Sequence, residues 1–88
     1  MGFNFKIVGD RLYLSCLCDG TLWFLQCMYR LLVENGFTDI GYSDEYLEDG
    51  DPRIPKDKPW CRSRFECYGV FPEGREQCDV MRDLGVNE

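Results

Sequence analysis

Hydrophobic and polar positions alternate twice near the start of the chain. Phe3 to Val8 and Leu12 to Cys18 are strand-like runs, and the intervening Gly9-Asp10-Arg11 predicts a tight turn that closes a hairpin. In the second run Leu12, Leu14, Cys16 and Cys18 share one face, while Arg11, Tyr13 and Ser15 take the other. The period then changes. From Leu22 to about Glu34, the residues Leu22, Phe24, Leu25, Met28, Tyr29, Leu31, Leu32 and Val33 cover more than half of a helical circumference. Gln26, Arg30 and Glu34 are left as a narrow polar stripe. Thr21 or Asp19 can cap the start of this helix, and Asn35-Gly36 supplies its stop. A helix so apolar is expected at the centre of the core, with Trp23 and Cys27 at the border of its polar stripe.

The second half repeats the order with longer connections. Thr38 to Ser43 sets Ile40 and Tyr42 against Asp39 and Gly41, which predicts a short third strand. From Asp44 to Pro59 the run Asp49-Gly50-Asp51-Pro52, with Pro55 and Pro59, forbids a regular helix or central strand and predicts a long loop. Trp60 to Phe71 is read as the fourth and longest strand. Cys61, Phe65, Cys67 and Phe71 would lie on one face of it, and Trp60, Arg62, Arg64, Glu66 and Tyr68 on the other. Pro72, Glu73 and Glu76 suit the first turn of a closing helix that runs to about Leu84, with Cys78, Val80, Met81 and Leu84 as its apolar set. The order ββαββα predicts a single α+β domain over residues 1–88. Its four-stranded, mainly antiparallel sheet would carry two helices packed on one face, in a strand order the pattern leaves open.

Charge is distributed unevenly along this frame. The 88 residues carry a formal net charge of -6, and Asp39, Asp44, Glu45, Glu48, Asp49 and Asp51 fall together with no base among them. From Arg53 to Arg64 five bases follow against one acid, so the predicted loop at about 44–59 is acidic and then basic. A concentrated field of this kind steers charged partners in a way that scattered charge does not. A hydrophobic content of 44% fits a folded chain, and at this length roughly two-thirds of the unfolded surface is buried on folding. No apolar stretch is long enough to span a bilayer, and no basic leader precedes an apolar run, so a cytoplasmic location without membrane contact is expected.

Six cysteines and no histidine narrow the chemistry. Cys16-x-Cys18 and Cys61-x5-Cys67 miss the usual zinc spacing, and in a reducing compartment thiols serve as small core hydrophobes. Glu45, Asp49 and Gly50 fit three places of a calcium-loop register, but Leu47 and Lys56 stand where ligands are required. A nucleophile–histidine pair, a Gly-x-Ser-x-Gly turn and a phosphate-cradling glycine loop are all missing. The expectation is a non-enzyme with no catalytic residue, no metal and no cofactor.

Recognition surfaces are what remain. The acidic segment interleaves Tyr42 and Tyr46, so Asp39, Tyr42, Asp44, Glu45, Tyr46, Glu48, Asp49 and Asp51 form a candidate site for a basic protein surface built to hold phosphates. The chain would then be a small acidic inhibitor or adaptor of a nucleic-acid-handling protein. Phage anti-defence proteins such as anti-CRISPRs are compact acidic chains of this kind, an analogy of size and charge. One alternative is a single-stranded nucleic-acid platform on Trp60, Arg62, Arg64 and Tyr68. Against it, Arg62 and Arg64 can pair with the acidic loop inside the molecule. A further alternative is an accessory subunit that docks through the Trp23 and Cys27 helix edge.

Overall fold

The computed structural model describes residues 3–85. The first hairpin pairs β1 (Asn4–Val8) with β2 (Arg11–Cys18) in the register Phe5 opposite Leu14, and Gly9 turns the chain at a positive φ of 61°. Helix α1 (Leu22–Glu34) follows, then β3 (Thr38–Tyr46), β4 (Ser63–Val70) and helix α2 (Gln77–Leu84). The sheet order is β1-β2-β4-β3, and each neighbouring pair is antiparallel. The fold is therefore α+β in the predicted ββαββα order, with β4 in the interior of the sheet and β3 at its edge.

The reason lies in which strands can tolerate two neighbours. β2 and β4 each turn alternate residues inward, so that Leu12, Leu14 and Cys18 on one and Phe65 and Cys67 on the other form a continuous apolar patch when Leu14 stands opposite Cys67. On that face Met28 and Leu32 of α1 and Val80 and Leu84 of α2 complete one buried cluster with Phe3, Phe37 and Phe71. Both helices thus cover the same face. Gly69 of β4 lets the segment after α1 come close, since a Cβ there would stand 3.2 Å from Ile40 Cγ1 and 3.3 Å from Thr38 O. No polar or charged residue is buried among those described.

Several elements differ from the pattern's prediction. β3 continues through Asp44, Glu45 and Tyr46, because each residue from Gly41 to Tyr46 finds a partner on β4 between Tyr68 and Ser63, and pairing overrides the weak strand preference of acids. β4 begins at Ser63 and not at Trp60. A turn in which Cys61 N–H reaches Lys58 O takes Trp60 and Cys61 out of the ladder, so β4 has eight residues and β3, with nine, is the longest strand. The connecting loop is residues 47–62. Helix α2 starts at Gln77, with Glu76 still extended, so Pro72 and Glu73 precede the helix. Thr21 occupies the N-cap of α1, but its hydroxyl and N–H both donate to Asp19 Oδ1, at 2.6 and 3.0 Å.

Helix α1 is also less buried than its composition suggests. Met28 and Leu32 are enclosed, Phe24, Leu25, Cys27 and Leu31 are half-buried, and Leu22, Trp23, Tyr29 and Val33 are exposed. A two-layer fold has a sheet on one side of the helix and nothing on the other, so an apolar arc wider than one contact face must emerge into solvent. The cysteines divide similarly. Cys18 and Cys67 are buried, Cys16, Cys27 and Cys61 are half-buried, and Cys78, expected on the apolar face of α2, is exposed. Burial, with Cys18 beside it, pushes the Cys16 thiol up to about 12, and burial pushes Cys67 up to about 11. Among the described residues no helix is long and apolar enough to cross a membrane.

Candidate functional site

The acidic segment splits into two parts with opposite fates. After β3 ends, Leu47 is 1% exposed, set apart from the main cluster under the loop it begins. Its N–H donates to Arg62 O at 2.7 Å, and Arg62 Nε returns a bond to Leu47 O at 3.0 Å. These bonds close the loop at its neck. Between them the chain folds into successive short turns, Asp51 N–H to Glu48 O, Ile54 to Asp51, and Lys58 to Pro55, each between 3.1 and 3.2 Å. The prolines fit such turns because they preset φ.

Two arginines then pair with three of the six acids of the acidic segment, Glu45, Asp49 and Asp51. Arg53 makes a forked contact to Glu45 at 3.2 and 3.1 Å and a second to Asp51 at 3.1 and 2.9 Å. Hydrogen bonds from the Arg53 side chain, then from its backbone N–H, hold the Asp51 carboxyl below its ordinary value. Arg62 places Nη1 2.6 Å from Asp49 and its guanidinium 5.1 Å from the centre of the Tyr46 ring. Among the described residues, Asp39, Asp44 and Glu48 make no ion pair. Glu45, Asp49 and Asp51 thus meet arginines inside the molecule, and Asp39, Asp44 and Glu48 are the acids of the segment left for a partner.

The strand itself presents a different surface. Tyr42, Asp44 and Tyr46 stand opposite Cys67, Phe65 and Ser63 and so point to the helix-bearing side of the sheet. Helix α1 packs chiefly on β4, leaving β3 only partly covered, and Tyr42 and Tyr46 are 63% and 69% exposed. Between helix and strand runs a groove of about 470 Å³ lined by Leu25, Gln26, Tyr29, Arg30 and Tyr42. A smaller hollow of about 110 Å³, lined by Trp23, Gln26, Cys27 and Arg30, adjoins it through the shared Gln26 and Arg30. Trp23 stands edge-on to Phe24 at 5.2 Å and is 57% exposed. Two surfaces that read as alternatives in the sequence, the Tyr42 segment and the Trp23–Cys27 edge, therefore lie on either side of Gln26 and Arg30, which line both hollows.

The other side of the sheet does not gather the predicted nucleic-acid platform. Arg64 pairs with Glu66 at 3.3 Å, and Tyr68 lies 5.4 Å from Tyr13, with its ring filling the space over Gly41, where a Cβ would come within 2.6 Å. Lys6 covers Tyr13 at 5.1 Å, so the open face is a cross-strand ladder of Lys6, Tyr13, Tyr68 and Gly41. Trp60 is exposed but lies off the strand, and Arg62 turns to the loop. Intramolecular pairing thus engages Arg62 with the loop, while Arg64 is held within its own strand.

Sequence reasoning did not single out Tyr29, Leu25 and Arg30 as walls of a groove, nor Leu47 as an anchor. The signal for the first was the excess width of the apolar arc on α1. For the second it was a lone leucine between Tyr46 and Glu48, apolar in an otherwise charged run. Among the described residues no group of three or more cysteine and carboxylate side chains is placed to hold a metal ion. Compared with protein families, with curated proteins and with solved structures, the chain gave no match.

Proposed function

We propose that this chain is a protein-binding module and not an enzyme: a small acidic inhibitor or adaptor that docks its α1–β3 surface on a basic region of a nucleic-acid-handling protein. The observation that carries the reading is the exposure of Tyr42 and Tyr46 on an edge strand with the unpaired Asp44 between them on the same side. Aromatic side chains beside a groove supply contact area, and the free carboxylates supply attraction to a basic surface. An inhibitor of this kind works by occupancy, holding carboxylates where the partner would otherwise hold phosphates. Size and charge align it with phage anti-defence proteins of the anti-CRISPR type. Because the Trp23 hollow shares Gln26 and Arg30 with the groove, docking through the helix edge belongs to the same reading, with Trp23 as a second anchor.

The test is affinity capture of the partner by the intact chain, followed by rate measurements on variants. Asp44→Lys with Glu48→Lys should slow association and flatten its salt dependence, whereas Tyr42→Ala should speed dissociation. Nucleic acid should compete for the captured partner. If the charge-reversed protein and Tyr42→Ala both bind at the parent's rates and salt slope, the α1–β3 surface is not the contact.

A further inference from the structure

The direction of the backbone along β3 says more about the partner than its side chains do. Leu47 donates its N–H inward to Arg62 O, and backbone groups alternate in direction along a strand. Gly41, Ser43 and Glu45 therefore face β4, and the N–H and C=O groups of Tyr42, Asp44 and Tyr46 face out from the sheet. On the far side of β4, Phe71 N–H reaches Asp10 O, which leaves the alternate β4 positions Tyr68, Glu66 and Arg64 to face β3, in agreement with that assignment. β3 ends the sheet order, and among the described residues no backbone hydrogen bond from another element reaches its outer side.

Edge strands are ordinarily protected from further pairing by prolines, lysines, bulges or short length. β3 has an irregularity between Thr38 and Gly41, where Asp39 takes a positive φ of 50°, but from Gly41 to Tyr46 it is regular and contains neither proline nor base. The opposite edge, β1, is five residues long and carries Lys6. What β3 does carry is Asp44. Antiparallel pairing of residues 42–46 with a second copy of themselves in full overlap would set Asp44 against Asp44, a destabilising arrangement, so the charge favours a partner strand of opposite sign.

We propose that the outer edge of β3 receives an extended, lysine- or arginine-bearing segment of a partner protein as a fifth strand. The inference rests on the proposed reading of this surface as a binding site for a basic protein and specifies the mode. Residues directly opposite in a ladder share a face, so the incoming base lies against Asp44, and the residues two places to either side lie against Tyr42 and Tyr46. The one beside Tyr42 projects toward the groove walled by Leu25 and Tyr29, where Arg30 disfavours a second base and an apolar side chain fits. Main-chain bonds to Tyr42, Asp44 and Tyr46 would provide affinity, and the apolar–base–apolar alternation would provide specificity.

The experiment uses the full chain and a capped peptide of roughly seven residues, enough to span Gly41 to Tyr46 at about 3.4 Å per residue. It carries valine, lysine and valine at alternating places with threonine between. Amide exchange followed by NMR should show Tyr42, Asp44 and Tyr46 slowed about tenfold or more at saturation, while Gly41, Ser43 and Glu45 change little. Replacing the lysine by glutamate, or N-methylating the peptide amides that face β3, should abolish that protection. Two results overturn the inference: no binding by the lysine peptide, or binding that survives N-methylation without protection of the three outward amides. The second would show attraction by charge without strand addition and would leave the proposed function standing. That function fails separately, through partner capture unaffected by Asp44→Lys, Glu48→Lys and Tyr42→Ala.

Discussion

The loop at 47–62 and the α1–β3 surface carry opposite relations between sequence and exposure. In the loop, an acidic run is followed by a basic run, and folding brings them together: Arg53 on Glu45 and Asp51, Arg62 on Asp49. Of its large apolar residues, Leu47 goes inside while Trp60 stays exposed. At the α1–β3 surface, side chains with the character of core residues remain outside: Leu22, Trp23, Tyr29, Tyr42 and Tyr46. Charge density along a chain is therefore a poor guide to charge presented to a partner when the counter-charges lie within reach of a turn. Exposed apolar area held on rigid elements is the more informative observation.

The largest expected effect tests whether the loop is a structured unit. Leu32→Ala, in the main core, should cost about 2–5 kcal/mol, and Leu47→Ala should fall in the same range although it lies outside that cluster. Leu22→Ala, on the exposed arc of α1, should stay within about 0.5 kcal/mol of the parent. Chemical denaturation measures all three. A Leu47→Ala value near that of Leu22→Ala would mean that the loop is not anchored and the comparison fails.

Next in size is Arg62→Ala. Its half-buried guanidinium group bonds Leu47 O, pairs with Asp49 and covers Tyr46, so its loss should cost about 1–3 kcal/mol, the range for a charge-assisted hydrogen bond with an unsatisfied partner. Limited proteolysis should then cut within residues 48–61, where the parent resists. Cleavage elsewhere first would place the effect outside the loop.

A smaller effect comes from pH. Asp51 has its carboxyl lowered in the folded state, chiefly by the Arg53 side chain. A lowered folded value contributes stability that is fully present above the unfolded value of about 4 and is lost as pH falls through the folded value. The parent should therefore lose a stabilising contribution on acidification below about pH 4 that Arg53→Ala lacks, so the two stability curves converge as the carboxyl protonates. Parallel curves from neutral to acid pH would show that Arg53 does not hold Asp51 in solution.

The least energetic test concerns the thiols. Alkylation at mildly alkaline pH should modify the exposed Cys78 first, while Cys16 and Cys67, whose thiols are raised to about 12 and about 11 and sheltered, should react last and accelerate on unfolding. Peptide mapping by mass spectrometry follows the order. Early modification of Cys67 would show that the sheet's apolar face opens readily.

Much of the fold was legible because its signals are local. The hairpin turn at Gly9 and the stop at Asn35-Gly36 are each decided by a few adjacent residues. The strand limits were less so. Asp44, Glu45 and Tyr46 read as loop because acids are weak strand formers, yet β4 offered each a partner. Trp60 and Cys61 read as strand because they alternate, yet the turn bond from Cys61 N–H to Lys58 O removed them from the ladder. Of the candidate site, Tyr42, Asp44, Tyr46, Glu48 and Trp23 were visible as residue types, whereas the groove wall of Leu25, Tyr29 and Arg30 was not.

The amino-acid order by itself determined the succession of elements, the faces of β2 and β4 that turn inward, and the excess of apolar surface on α1, because period and turn chemistry act over a few residues. Which strand became the edge, which acids met arginines and which aromatics lay beside one groove were decided by the tertiary structure. Those outcomes depend on contacts such as Leu14 with Cys67 and Leu47 with Arg62, between residues far apart along the chain. Long-range pairings of that kind leave no periodic trace in either partner segment, and so they become visible only when the sheet has closed around β4.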